Sequence, residues 1–172
     1  MEYWAYSHKL NFSNLFIGLA CDWVNDNIYW TDSETRRIEV SSMPSKGQYF
    51  HRNVLVWEDV ELPRAIAVAP YDGLMFWTDW GTTPKIERAS MDGNRESRKI
   101  LVDTELEWPN GLTLDYEKKL LYWIEAKLQY IGVVDWDGNQ RKTLLQNPRF
   151  LQIPFAISVY KSELYWTDWK TK

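Results

Sequence analysis

The apolar positions of this chain fall in short runs, and turn-forming residues break each run before a helix could complete. Residues 65–69 read Ala-Ile-Ala-Val-Ala, residues 74–77 read Leu-Met-Phe-Trp, and Lys85-Ile86-Glu87-Arg88-Ala89 alternates polar with apolar. Such runs between Gly, Pro, Asn and Asp predict β-strands, and no helical period of useful length occurs along the chain.

The runs recur in register. Four anchors share one pattern: Tyr29-Trp30-Thr31-Asp32, Phe76-Trp77-Thr78-Asp79, Tyr122-Trp123-Ile124-Glu125 and Tyr165-Trp166-Thr167-Asp168, with tryptophans spaced by 47, 46 and 43 residues. An apolar strand precedes each anchor, at 18–22, 65–69, 111–115 and 156–159. An alternating strand follows, then a hairpin with Asp92-Gly93 or Asp137-Gly138, then a fourth strand at 98–102 or 142–145. Pro63, Pro109 and Pro154 stand just ahead of first strands, where a missing N–H costs little. Four short strands in a repeat of about 45 residues is the pattern of a β-propeller blade. The expected fold is all-β, a partial six-bladed β-propeller of about three and a half blades. Residues 1–17 are expected to end a preceding blade, and repeats are expected at 18–64, 65–110, 111–155 and 156–172, the last holding only two strands. An arc of this kind would leave strand edges and half a core open, so the chain alone is expected to be poorly soluble or oligomeric.

Two copies depart from the pattern. In the first, the hairpin reads Met43-Pro44-Ser45-Lys46-Gly47 and residues 48–52 read as an insertion. In the third, Ile124-Glu125 replaces Thr-Asp. The motif acid is expected to accept backbone hydrogen bonds at a strand end, and the extra methylene of Glu125 leaves its local geometry open. The anchor residues Tyr29, Trp30, Asp32, Phe76, Trp77, Asp79, Tyr122, Trp123, Glu125, Tyr165, Trp166 and Asp168 read as structural, since they repeat in every blade. Glu34, Arg36, Arg37 and Glu39 read as a solvated strand face. Cys21, within Leu19-Ala20-Cys21-Asp22-Trp23, reads as an inert buried thiol.

Composition narrows the function. Eleven Trp and ten Tyr among 172 residues exceed what a generic core needs and suit strands and interfaces. The net charge of −4 argues against a nucleic-acid partner. Two histidines, His8 and His51, sit in unlike repeat positions, so neither a catalytic triad nor a histidine metal site is expected, and no cofactor is implied. A single cysteine forbids an intrachain disulfide, and no apolar run is long enough to span a membrane. Residues 1–10 do not read as a signal peptide, so an extracellular protein would take its signal from outside this segment. Asn11-Phe12-Ser13 is a glycosylation sequon, with Asn11 as acceptor.

With these motifs in hand, the chain resembles the Tyr-Trp-Thr-Asp (YWTD) propellers of the low-density lipoprotein receptor class B repeats over nearly its whole length. Residues 18–23, 29–40, 84–89 and 108–116 look most like the first propeller of the Wnt co-receptor type of lipoprotein receptor-related protein. The resemblance implies an extracellular receptor propeller that binds secreted protein ligands or antagonist peptides and is not an enzyme. It also implies a location on the outer face of the plasma membrane within a larger single-pass receptor. Lipoprotein-receptor propellers carry histidines beside Lys127-Leu128 and Pro154-Phe155 that are implicated in acid-triggered release; Gln129 and Ile153 stand there here, and neither titrates.

The same resemblance assigns a binding face around the channel mouth, where the asparagine of a peptide loop meets Asn110 of Trp108-Pro109-Asn110-Gly111. An amide offers both a donor and an acceptor. Glu34, Arg64, Trp80, Trp108 and Trp169 map onto that face, and Trp80 and Trp169 each follow a Thr-Asp pair. Glu34 and Arg64 could instead pair with each other. Ile17, within Leu15-Phe16-Ile17, stands where related propellers often hold a polar or acidic group, which weakens that part of the face. The alternatives are a matrix or growth-factor-precursor propeller of nidogen type, an endocytic lipoprotein receptor, or a propeller hydrolase, which would need acids or histidines converging on the channel.

Overall fold

A computed structural model describes residues 16–43 and 51–170. Asn11 and the 1–15 part of the expected preceding blade lie outside the described residues. Among those described, the helical structure is two short 3-10 turns, Pro70–Asp72 and Arg95–Ser97. The described residues form fourteen strands in four antiparallel sheets, in simple sequence order. The first sheet is β1 (Phe16–Asp22), β2 (Asn27–Asp32), β3 (Arg37–Ser42) and β4 (Arg52–Val56). The second is β5 (Pro63–Ala69), β6 (Leu74–Asp79), β7 (Lys85–Ser90) and β8 (Lys99–Val102). The third is β9 (Pro109–Asp115), β10 (Leu120–Glu125), β11 (Tyr130–Asp135) and β12 (Lys142–Gln146). The fourth is β13 (Pro154–Tyr160) with β14 (Glu163–Asp168). The first strands β1, β5, β9 and β13 lie side by side, so the sheets stand face to face as propeller blades.

Residues of the anchor strand point alternately to the two faces of their sheet, and this stitches the blades together. Tyr29 of the first blade shares a core with Ile66, Met75 and Trp77 of the second. Phe76 of the second shares a core with Leu112, Trp123 and Val134 of the third. Tyr122 of the third packs with Leu151, Ile157 and Leu164. Trp30, Trp77 and Trp123 are buried as expected, whereas Tyr165 and Trp166 are 57% and 38% exposed on the two-stranded sheet. Cys21 is exposed, contrary to the expectation from sequence. Ala20 packs toward the second blade, so the strand period turns Cys21 to the face that no described sheet covers.

The inner part of each sheet hides a charge. Glu39 and Glu87 are 0% and 1% exposed. Arg98 grips Glu87 with two hydrogen bonds of 2.9 and 2.8 Å while its guanidinium lies over Trp77. Arg52 does the same for Glu39, over Trp30. Two readings of the sequence are corrected here. Glu39 is not on a solvated face, although Glu34, Arg36 and Arg37 are exposed, and Arg52 is not inserted but opens β4. The third blade places Gly132 where the acid would be, because any Cβ there would strike the ring of Trp123. Arg141 still covers that ring, and Trp123 donates to the Tyr130 hydroxyl.

The motif acids bind backbone, as expected. Asp79 accepts from the N–H of Glu61, Leu62 and Gly81 at 2.8–2.9 Å, joining the loop before β5 to the loop after β6. Asp168 likewise accepts from Gln152, Ile153 and Lys170. Glu125 accepts from Glu107, Trp108, Lys127 and Leu128, so the longer side chain reaches the same set of donors. The motif threonines serve the bulge just inside: Ala65 N–H donates to Thr78 and Ala156 N–H to Thr167.

Asp79→Ala would strand three backbone donors and should cost about 3 kcal/mol, at roughly 1 kcal/mol or more per lost partner. Urea unfolding of the variant checks this. Glu87→Ala should cost about 3–5 kcal/mol by leaving Arg98 and Lys85 without their shared buried acid. A midpoint unchanged from the parent would contradict the role given to that acid.

Candidate protein-binding face

The three prolines each pair with a motif acid, Pro63 with Asp79, Pro109 with Glu125 and Pro154 with Asp168. The next residue is therefore held at the same place in each blade. Those residues are Arg64, Asn110 and Phe155, and they line one groove with Gly18, Gly111 and Ala156. Sequence reading found Arg64 and Asn110 but missed Phe155. The signal was present, since Phe155 follows Pro154 as Asn110 follows Pro109.

Arg64 is half-buried, and its guanidinium lies 4.1 Å from the ring centre of Trp80 and 5.2 Å from that of Phe155. Burial pushes its pKa down from the ordinary value. Among the described residues its guanidinium makes no hydrogen bond or ion pair, so the alternative pairing with Glu34 does not form, while its backbone carbonyl accepts from the Thr31 hydroxyl. Aromatic faces stabilise a cation without saturating its N–H donors, which leaves those donors available.

Asn110 lies in β9 and is 7% exposed. Its Nδ2 donates to the Pro154 carbonyl at 2.8 Å, which ties the third blade to the fourth. Its Oδ1 is buried and has no partner. A buried acceptor left unsatisfied costs roughly 1–3 kcal/mol, so a ligand N–H reaching Oδ1 would recover that energy.

Two aromatic stacks lie beside the groove, and one of them meets Arg64 through Trp80. Trp80 stacks on Trp108 with ring centres 5.8 Å apart and planes at 17°, and its Nε1 donates to the Pro109 carbonyl at 2.9 Å. Trp169 stacks on Phe155 at 4.8 Å and 21°. Trp80 and Trp169 are equivalent, since each donates its backbone N–H to the residue before a proline, Leu62 or Ile153, at 3.0 Å. Lys127 sits 5.7 Å over Trp108 and pairs with Glu107 at 2.9 Å, a contact the sequence did not flag. Glu34 is the residue the structure does not bring in. Its backbone N–H donates to Asp32, but its exposed side chain meets none of the cluster.

No group of His, Cys, Asp and Glu that could hold a metal ion occurs among the described residues. Nor is any helix there long and apolar enough to cross a membrane.

Trp80 and Trp169 should respond differently to truncation. Trp80→Ala removes the Pro109 hydrogen bond and the cover of Arg64, and should destabilise the chain by about 1–3 kcal/mol. Trp169, 70% exposed, should cost under about 1 kcal/mol as Trp169→Ala. Denaturant titrations of both variants followed by circular dichroism test this, and equal losses would contradict it.

Comparison with known proteins agrees with the geometry. The sequence profile of Low-density lipoprotein receptor repeat class B matches residues 73–116 and 119–161. The chain is 46% identical over 154 residues to vitellogenin receptor Yl of Drosophila melanogaster, covering 90% of this chain and 7% of that protein. It is 38% identical to the vitellogenin receptor of Solenopsis invicta, covering 91% of this chain and 8% of the relative. With the low-density lipoprotein receptor-related protein 5-like protein of Homo sapiens it shares 40% identity, over 88% of this chain and 57% of the other. The chain thus spans less than two thirds of each of these relatives. A solved chain from a nidogen/laminin complex superposes with a TM-score of 0.79 at 40% identity, over 90% of this chain and 56% of that one. A Bacteroides thetaiotaomicron structure at 14% identity, TM-score 0.67, shares the fold alone. The blade repeats, the motif acids and these matches agree: the chain belongs to the low-density lipoprotein receptor class B repeat family, as part of its YWTD β-propeller.

Proposed function

We propose that this chain is part of an extracellular receptor propeller of the Wnt co-receptor type, whose channel mouth binds a peptide loop of a secreted ligand or antagonist. The observation that carries the reading is the buried, unpartnered Oδ1 of Asn110 in the same groove as the unpaired guanidinium of Arg64. A peptide asparagine matches both, with its NH2 toward Oδ1 and its carbonyl toward Arg64. Trp80, Trp108, Phe155 and Trp169 supply flat apolar walls of the kind that form interface hot spots. The human relative at 40% identity and the propeller taken from a nidogen/laminin complex support a protein-binding role over an enzymatic one. The receptor would present this face outside the cell.

Asn110→Ala in the complete propeller should weaken binding of an Asn-containing antagonist peptide by about five- to 150-fold, or roughly 1–3 kcal/mol. Unchanged affinity with an intact circular dichroism spectrum would overturn the reading.

The two vitellogenin receptors favour a second reading, that of an endocytic cargo receptor. The distinction lies in acid response. Gln129 donates to the Gln152 carbonyl at 3.2 Å and, with Ile153, occupies the positions of the lipoprotein-receptor histidines. A signalling receptor of this design should keep its affinity within about twofold between about pH 7 and about pH 5.5, since no group at those positions titrates there. Peptide titrations at both pH values check this, and release on acidification would favour the endocytic role.

A further inference from the structure

The chain contains a single Asn-Gly dipeptide, Asn110-Gly111, in the middle of the candidate face. Two independent demands put these residues together. The groove uses an amide at 110, whose Nδ2 holds the Pro154 carbonyl. The close approach of β13 requires glycine at 111, where a Cβ would lie 2.8 Å from the Phe155 carbonyl oxygen and 3.0 Å from the Ala156 Cα. The equivalent pairs Arg64-Ala65 and Phe155-Ala156 carry no such amide.

Asparagine followed by glycine is the least hindered sequence for intramolecular imide formation. The backbone nitrogen of Gly111 attacks Cγ of Asn110, the new N–Cγ bond forms, the Cγ–Nδ2 bond breaks, and ammonia leaves with the proton from the Gly111 nitrogen. Water then opens the ring at one carbonyl or the other, giving aspartate or isoaspartate. The net change consumes one water and releases one ammonia, with no oxidant or catalyst.

The folded strand prevents this. Asn110 is in extended backbone and 7% exposed, its amide nitrogen is engaged by Pro154, and β13 crowds Gly111. Asn110 and Gly111 sit at the bulge of β9, between the Leu112–Trp123 and Pro109–Glu125 pairs, and ring closure would have to bring Cγ onto the Gly111 nitrogen against the Pro154 hydrogen bond and the close-packed β13 backbone. We infer that Asn110-Gly111 is a conformation-gated self-modification site, intact while β9 stays in its sheet and packed against β13 and converted irreversibly once those contacts open. The product cannot close again as before. A carboxylate in place of Nδ2 has no donor for the Pro154 carbonyl and sets two acceptors against each other. An isoaspartate also lengthens the backbone, which breaks the register of Leu112 with Trp123. The chemical state of residue 110 thereby records whether the third and fourth blades have separated, whichever ligand the face takes.

The test uses the full chain, incubated at one mildly alkaline pH with and without denaturing urea. Peptide mass mapping follows conversion at residue 110, and isoaspartyl methyl-transfer labelling identifies the product. Conversion should be at least about tenfold slower in the native sample, because exchange of the site requires local opening. Gly111→Ala in urea, where folding plays no part, should slow conversion by a similar factor. Equal rates in native buffer and urea, or no conversion in urea, would overturn the inference. Because the readout is mass and not affinity, it stands or falls apart from the peptide-binding reading.

Discussion

One carboxylate per blade carries the geometry of the candidate face. Asp79, buried at the end of β6, gathers N–H groups from the loop that enters the blade and from the loop that leaves its second strand. Those loops hold Leu62, just ahead of Pro63 and Arg64 at the start of β5, on one side and Trp80 on the other. A loop at the surface would otherwise satisfy its N–H groups with water and wander. Tied to a buried acid, it presents its side chains as rigidly as a strand does. The candidate face is thus made of strand starts and the clamped loops beside them.

The second constraint is the two-residue period of the anchor. An aromatic pair that faces both ways commits each sheet to two neighbours, which explains why adjacent blades share cores around Tyr29 with Trp77 and Phe76 with Trp123. The indoles are then covered by arginines, and in two blades those arginines are neutralised by Glu39 or Glu87. A buried ion pair is an uncertain source of stability, since desolvation offsets much of the attraction. Its clearer consequence is orientation, because a wrongly seated Trp77 would leave a buried acid without its partner.

Most of the fold was legible because it repeats. Four anchors in register set the strands, the blades and the structural role of the motif acids, and the family resemblance, through the Trp-Pro-Asn-Gly motif, pointed to Asn110. What escaped depended on side-chain direction or on contacts between blades. Cys21 lies in an apolar run but on the uncovered face of β1. Glu39 sits in a charge cluster, yet points inward because Trp30 is its cross-strand neighbour. Some tight turns carried no glycine signal: Asp26, Lys119 and Ser162 adopt the left-handed conformation that Gly73 supplies in the second blade. Glu34 followed a motif acid but not a motif proline, and only residues of the second kind were drawn to the groove.

The residues that line the groove differ in chemistry while their backbone positions repeat. A cation, an amide and a phenyl ring occupy Arg64, Asn110 and Phe155, each one residue past a proline pinned to a motif acid. A repeat fold separates scaffold from recognition in this way. The blade fixes where a side chain emerges, and the identity of that side chain is free to vary. The neighbouring contacts also leave selected polar groups unsatisfied, the Arg64 guanidinium under aromatic cover and the Asn110 Oδ1 beside an amide nitrogen already in use. Each is held away from internal partners by packing, so a ligand that supplies the missing acceptor or donor gains the full hydrogen bond without first displacing one.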